Sequence, residues 1–161
     1  MPVLTIKPVD DSPEAAALVG DWRRIHNAII PNHPLTAADI RERARRNRLE
    51  VACLGEAAVG CSTLRPPGAD AEDPGLAVVI ARVLPEHRGR GVGSALYARA
   101  LAAAVELGAE RIETLVLERN TAGLDFALRR GFTEIERYAL PGDVVEVALG
   151  GLPAELLAAV R

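Results

Sequence analysis

Only two cysteines occur in the 161 residues, Cys53 and Cys61, and their spacing matches no metal-binding motif. They fall in segments that read as neighbouring strands, where two free, buried thiols are the default for a cytosolic protein. No metal is expected. Long apolar runs are also missing: none approaches the roughly 20 residues that cross a bilayer, so no membrane partner is expected. The opening Met1-Pro2-Val3-Leu4-Thr5-Ile6-Lys7 alternates like a strand and lacks the apolar region of a signal peptide, which makes the cytoplasm the expected location. Basic excess is absent as well. With 19 Lys and Arg against 22 Asp and Glu, a net charge of −3 and a pI near 5.7, the chain carries no electrostatic footprint for nucleic acid. No internal repeat or low-complexity segment interrupts it.

What is present suits one folded domain over residues 1–161. At 17.1 kDa, with 49% apolar and 25% charged residues, the chain can bury a sizeable core. Its most informative stretch is Val83-Leu84-Pro85-Glu86-His87-Arg88-Gly89-Arg90-Gly91-Val92-Gly93-Ser94. The apolar, β-branched run Leu76 to Val83 before it reads as a buried strand, and Pro85 ends that strand because it has no N–H for a ladder. Three glycines then open into a long Ala-rich amphipathic helix, predicted from about Gly91 to Leu107 with Gly108 just past its end. Glycine allows positive φ and close approach to the backbone. A helix N-terminus adds N–H donors and partial positive charge. Together they make an anion cradle suited to a pyrophosphate.

Arg88-Gly89-Arg90-Gly91-Val92-Gly93 resembles the acyl-CoA binding motif of the Gcn5-related N-acetyltransferases (GNAT), Arg/Gln-x-x-Gly-x-Gly/Ala, at every position. A second GNAT signature follows, with Asn120 and Gly131-Phe132 in their places. The resemblance covers nearly the whole chain. It implies an α/β GNAT fold, a mixed central sheet flanked by helices, and an N-acetyltransferase that moves acetyl from acetyl-CoA to a primary amine of a small molecule or peptide. It also implies that Ala81, Arg82 and Val83 meet the pantetheine arm through their backbone, and that the Val83 N–H serves the oxyanion. Arg88, Gly89, Arg90, Gly91, Val92, Gly93 and Ser94 would wrap the pyrophosphate. Asn120 and Phe126 would lie along the rest of the CoA.

The remaining chain reads as β-α-α-β-β-β-α-β-α-β-β. Val3 to Lys7 is a strand; Ser12-Pro13 caps a helix reaching about His26. Thr36 and Asp39 have capping-box spacing for a helix from Ala37 to Arg48. These helices and the linker between them are the natural place for a substrate cover, although Trp22, His26, Asn27 and His33 each read first as core or surface residues. Leu49 to Leu54 and Ala57 to Arg65 are strands around a Gly55-Glu56 turn, and Pro66 to Gly75 is a loop. Arg111 to Leu117 is a strand, Asn120 caps a helix ending at Gly131, and Phe132 to Leu140 and Val144 to Leu149 close the sheet. A short helix follows in the tail.

Two departures from the family pattern bear on chemistry. The Tyr that many relatives use to protonate the departing thiolate falls at Ala127, and the Glu that serves as base in the branch acting on ribosomal-protein N-termini falls at Leu115. An attacking amine must still lose a proton. Glu118, at the end of its strand, is the candidate base, and Tyr138 the remaining phenol for an acid. Two other readings compete: a GNAT-like module that holds acyl-CoA as a sensor without turnover, and a Rossmann fingerprint at Gly89-x-Gly91-x-x-Ser94, weakened by the Ser and the mid-chain position. The acceptor has no motif, and a homodimer is left open as the assembly.

Overall fold

A computed structural model describes residues 2–160. Its elements are β1 (Leu4–Val9), α1 (Ala16–Ile29), α2 (Ala37–Arg46), β2 (Arg48–Leu54), β3 (Ala57–Arg65), β4 (Leu76–Val83), α3 (Val92–Glu106), β5 (Arg111–Leu117), α4 (Thr121–Arg129), β6 (Thr133–Leu140), β7 (Val144–Gly151) and α5 (Pro153–Ala158). The order is the expected one, with single 3-10 turns added at Pro13–Ala15 and Pro85–His87. Seven strands form one mixed sheet in the order β1-β2-β3-β4-β5-β7-β6. The pairs β1–β2, β2–β3, β5–β7 and β6–β7 are antiparallel. β4 and β5 pair in parallel over Leu76–Val78 and Arg111–Glu113, which requires the crossover that α3 supplies. The chain falls into two compact units, Met1–Arg65 with Ala81–Ala100 and Pro66–Ile80 with Leu101–Arg161.

In the first unit, α1 buries Val19, Trp22, Ile25 and His26, one face at helical spacing. This face joins Ile40 of α2 and Leu49, Val51, Cys53 and Cys61 of β2 and β3 in one apolar cluster. Trp22 settles as core: its Nε1 donates to the Ser62 carbonyl at 3.1 Å, so its one polar atom is satisfied inside. Both cysteines are free and buried, and burial pushes the Cys61 thiol up to about 12. The capping box forms as spaced, with Asp39 N–H donating to Thr36 Oγ1 at 3.1 Å and Thr36 N–H to Asp39 Oδ2 at 2.8 Å. The other cap does not form. Ser12 donates its hydroxyl back to Asp10, so Pro13 opens a 3-10 turn and α1 begins only at Ala16.

In the second unit, β7 lies between β5 and β6, and Ile112, Val147, Leu149 and Leu156 are fully buried. β6 is the last strand in the order and is exposed along nearly all its length. Along α3, Val92, Leu96, Tyr97, Ala100 and Leu101 are buried, the apolar face of the predicted amphipathic helix, but Leu107, its predicted last residue, is 42% exposed. The helix stops at Glu106, with Gly108 N–H bonding to the Val105 carbonyl and Ala109 N–H to the Ala104 carbonyl, so Leu107 leaves the helical period and Ala104 fills the core position.

His26 supplies a pH test. It is buried, stacked on Trp22 with centroids 5.4 Å apart, and burial pushes its pKa down to about 4. Its folded value lies below the unfolded one, so the unfolded chain binds the proton first as pH falls. The stability it confers is complete above pH 6.5 and is lost progressively towards pH 4. Urea unfolding of parent and His26→Gln at pH 7 and pH 4.5 should show the parent losing about 2 to 3 kcal/mol more than the variant. Parallel pH profiles would show that His26 is not the titrating group.

Candidate functional site

The first unit carries the glycine loop. Leu84 N–H still pairs with the Val59 carbonyl of β3 at 2.9 Å; Pro85 then ends the strand, and His87 N–H closes a 3-10 turn on the Leu84 carbonyl at 2.9 Å. Gly89 (φ 79°) and Gly91 (φ 81°) take the left-handed conformation that L side chains rarely adopt. A Cβ built on either would meet no heavy atom within 4 Å, so the turn itself, rather than crowding, demands glycine there. The Gly91 carbonyl accepts the first helical bond from Ala95 at 3.0 Å, and α3 begins at Val92 with Gly93 and Ser94 in its first turn. A first turn presents N–H groups and partial positive charge outward.

Arg88 and Arg90 flank this loop and both are exposed. Arg88 is tied back: its Nε donates to the Val83 carbonyl at 3.0 Å, which fixes the turn on the end of β4. Ala81 and Val83 pack with Val59, Val92 and Leu96, so Arg82 between them points to the opposite face of the sheet. Gly60 of β3 backs the loop, a support that sequence reading missed. A Cβ at Gly60 would lie 3.0 Å from the Arg82 carbonyl, 3.1 Å from Leu96 Cδ1 and 3.2 Å from Val92 Cγ1. The signal was a glycine inside an otherwise apolar strand, which marks a close approach of backbone or helix.

The second unit holds the other expected residues. Asn120 Oδ1 accepts from Gly123 N–H at 3.0 Å and caps α4 as predicted. Phe126 carries the Arg130 guanidinium 3.3 Å over its ring. Ala127 is buried, and Leu115 pairs with Ala148 in the β5–β7 ladder. Glu118 Oε2 accepts from Arg137 Nη1 at 2.6 Å, and Arg137 also binds Glu134 at 2.7 Å. Tyr138 donates its hydroxyl to Glu136 Oε1 at 2.7 Å, which with burial pushes the phenol up to about 12. Leu117 and Tyr138 both pair with Glu146, so β7 brings Tyr138 and the end of β5 that precedes Glu118 onto one rung. Neither Arg137 nor Glu136 was singled out from sequence, because strand order alone decides who faces Glu118 and Tyr138.

The model of the Acetyltransferase (GNAT) family matches residues 17–132, a span that contains both the glycine loop and Asn120. The chain belongs to the GNAT acetyltransferase family. Solved GNAT structures share its fold. It is 16% identical to yncA of Salmonella typhimurium, solved with its cofactor acetyl-CoA, with 93% of this chain and 94% of that one covered at a TM-score of 0.71. Ard1 of Thermoplasma volcanium is 18% identical over 92% and 97% of the two chains, with a TM-score of 0.75. NAA60 of Arabidopsis thaliana, in complex with a bisubstrate analogue, is 15% identical over 93% and 98%, with a TM-score of 0.73. No curated protein matches the chain in sequence. Among the described residues of this GNAT protein, no group of three His, Cys, Asp or Glu side chains could hold a metal, and no helix is long and apolar enough to cross a membrane.

The backing role of Gly60 is open to a paired test. Gly60→Ala should cost about 1 to 3 kcal/mol, because one methyl must displace β4 backbone and two α3 side chains. Gly20, in α1, has no heavy atom within 4 Å of an added Cβ. Gly20→Ala should therefore stabilise by about 1 kcal/mol. Thermal unfolding of both variants reads the difference, and equal effects would remove Gly60 from the support of the loop.

Proposed function

We propose that this GNAT protein transfers an acetyl group from acetyl-CoA to a primary amine of a small molecule or peptide. The observation that carries it is the pair of left-handed glycines, Gly89 and Gly91, opening onto free space at the start of α3, within the span that matches the family. That the similar yncA was solved with acetyl-CoA supports the choice of cosubstrate. In this reading Gly89 to Ser94 receive the pyrophosphate, with Arg88 and Arg90 as flanking charge. The main chain of Ala81 to Val83 meets the pantetheine arm, and Asn120 and Phe126 lie along the cofactor. Single-domain organisation, action in the cytoplasm, and independence of metal and nucleic acid belong to the same proposal.

Chemically, the neutral amine attacks the thioester carbon, a C–N bond forms, and the C–S bond breaks with its electron pair leaving on the thiolate. The ammonium proton passes to Glu118, directly or through water. The Val83 N–H donates to the oxyanion. Tyr138 stands as the candidate acid, but a phenol at about 12 gives its proton uphill to a thiolate whose thiol titrates near 8.5. A thiolate is a tolerable leaving group, so departure does not depend on Tyr138. The alternative, a sensor that binds acyl-CoA without turnover, is favoured by one observation: Ala127 is buried and offers no proton where relatives place a phenol.

Two measurements test these assignments. Gly91→Asp places a carboxylate where phosphates sit, and acetyl-CoA affinity by calorimetry should fall at least tenfold, about 1.4 kcal/mol. Gly91→Asn, equally strained but uncharged, controls for the left-handed backbone. Loss of no affinity would remove the cradle assignment. Glu118→Gln should lower kcat/KM for an accepted amine by roughly 10² to 10⁴ with acetyl-CoA affinity unchanged. Full activity in that variant would leave Glu118 as no more than the partner of Arg137. A parent that binds acetyl-CoA but releases no CoA with any amine would favour the sensor.

A further inference from the structure

Arg88 lies on the glycine loop, yet it spends its Nε donor on the strand before the loop. That N–H donates to the Val83 carbonyl at 3.0 Å, five residues back along the chain. The backbone between them makes this return possible. Pro85 opens a 3-10 turn, in which His87 N–H bonds the Leu84 carbonyl at 2.9 Å and Arg88 N–H bonds the Pro85 carbonyl at 3.3 Å. Arg88 itself is extended, with φ −72° and ψ 158°, and Gly89 then turns the chain away in the left-handed conformation. The turn thus leaves the Arg88 side chain free to fold back over the end of β4.

The Val83–Leu84 peptide is held at both of its polar ends. Its carbonyl accepts from Arg88, and its N–H, that of Leu84, donates to the Val59 carbonyl of β3 at 2.9 Å. The Val83 side chain is fixed as well, packed against Ala52, Val59, Val92 and Leu96. A peptide is planar, so fixing this plane and the side chain leaves the Val83 Cα, and the N–H on its other side, little freedom. Beyond Leu84 the chain offers no ladder to do the same, because Pro85 has no N–H. The bond that Arg88 makes requires an N–H at the ε position, whereas the positive charge is a separate property of the group. Glutamine carries an N–H at the same place in the side chain, lysine carries its donors one atom further out, and methionine has the length with neither donor nor charge.

We propose that Arg88 is a positioning residue for acetyl transfer: through Nε it holds the Val83–Leu84 peptide, and with it the Val83 N–H that serves the oxyanion, so that the loop receiving the pyrophosphate also sets the donor for the reaction. The inference rests on the acetyl-transfer reading above and gives Arg88 a second role in it, separate from its charge.

The experiment compares Arg88→Met, Arg88→Gln and Arg88→Lys with the parent by kcat at saturating acetyl-CoA, using an amine the parent accepts, and by acetyl-CoA Kd from calorimetry. Arg88→Met removes donor and charge together and should lower kcat by about tenfold or more. Arg88→Gln should recover most of that loss, because it returns an N–H to the same place, while its Kd rises as far as that of Arg88→Met. Arg88→Lys should do the reverse, with Kd near the parent's and kcat near that of Arg88→Met. Rate and affinity then rank the Gln and Lys variants in opposite orders, as a transition-state role separate from ground-state binding requires. Should Arg88→Met not fold, the Gln and Lys variants carry the same comparison. A kcat that follows charge, with Arg88→Lys nearest the parent and Arg88→Gln low, overturns the proposal. So does a kcat within twofold of the parent in all three variants, even where the melting temperature falls, since a purely structural tie gives that result. A parent that binds acetyl-CoA but releases no CoA with any amine overturns the acetyl-transfer reading and the role of Arg88 with it.

Discussion

The left-handed backbone at Gly89 and Gly91 is the constraint on which the rest of the first unit depends. It turns the chain from the end of β4 into α3 within a few residues and leaves the start of that helix facing open space. An L residue in that conformation costs roughly 1 to 2 kcal/mol, so the turn favours glycine at both positions. Its geometry is then held from two sides. Arg88 ties the turn to the Val83 carbonyl, and Gly60 lets the Arg82 carbonyl, Val92 and Leu96 close on β3. Contacts that hold a helix start in place before a ligand arrives lower the ordering cost of binding there, which is what the cradle proposed above needs.

The helical cover of the first unit follows a different logic. Its apolar side is ordinary core, with Trp22, Ile25 and Ile40 packed on β2 and β3. Its polar side is held by backbone-directed bonds from side chains: Asn27 to Leu35, Arg23 to the Leu35 carbonyl at 2.9 Å, and Thr36 with Asp39 at the start of α2. Such bonds fix a linker that has no regular structure of its own. In this segment, which has two prolines, the Asn32 amide atoms are buried with no hydrogen-bond partner. The unmet polar groups of this cover contrast with the second unit, where Glu118 and Tyr138 each have a charged neighbour at hydrogen-bond distance.

That contrast bears on chemistry. In the second unit the strand order β5-β7-β6 places Arg137 against Glu118 and Glu136 against Tyr138. A carboxylate facing a guanidinium is oriented and keeps its second oxygen for other work, while a phenol facing a carboxylate is held back from giving up its proton. The two candidate proton-transfer groups are thus set apart by their neighbours rather than by their own nature. With Ala127 in the place of the family's phenol, the proposed reaction leans on the leaving ability of the thiolate.

The sequence by itself determined whatever depends on local steric rules. Pro85 could only end β4, Gly89 and Gly91 could only mark a tight turn into a helix, and the Thr36–Asp39 pair formed its box because both partners lie within one helical turn. Asn120 caps α4 for the same reason. Local rules failed where a nearer competitor or an early helix end intervened, at Ser12, which bonds Asp10, and at Leu107, which lies beyond α3. Tertiary structure alone decided what faces what. That Gly60 lies under the loop, that Arg137 reaches Glu118 across 19 positions, and that Arg43 lies half-buried among other cations follow from strand order and helix packing. The physical reason is one of range: steric and capping preferences act within a few residues, whereas charge and burial are set by whichever distant segments the sheet brings together.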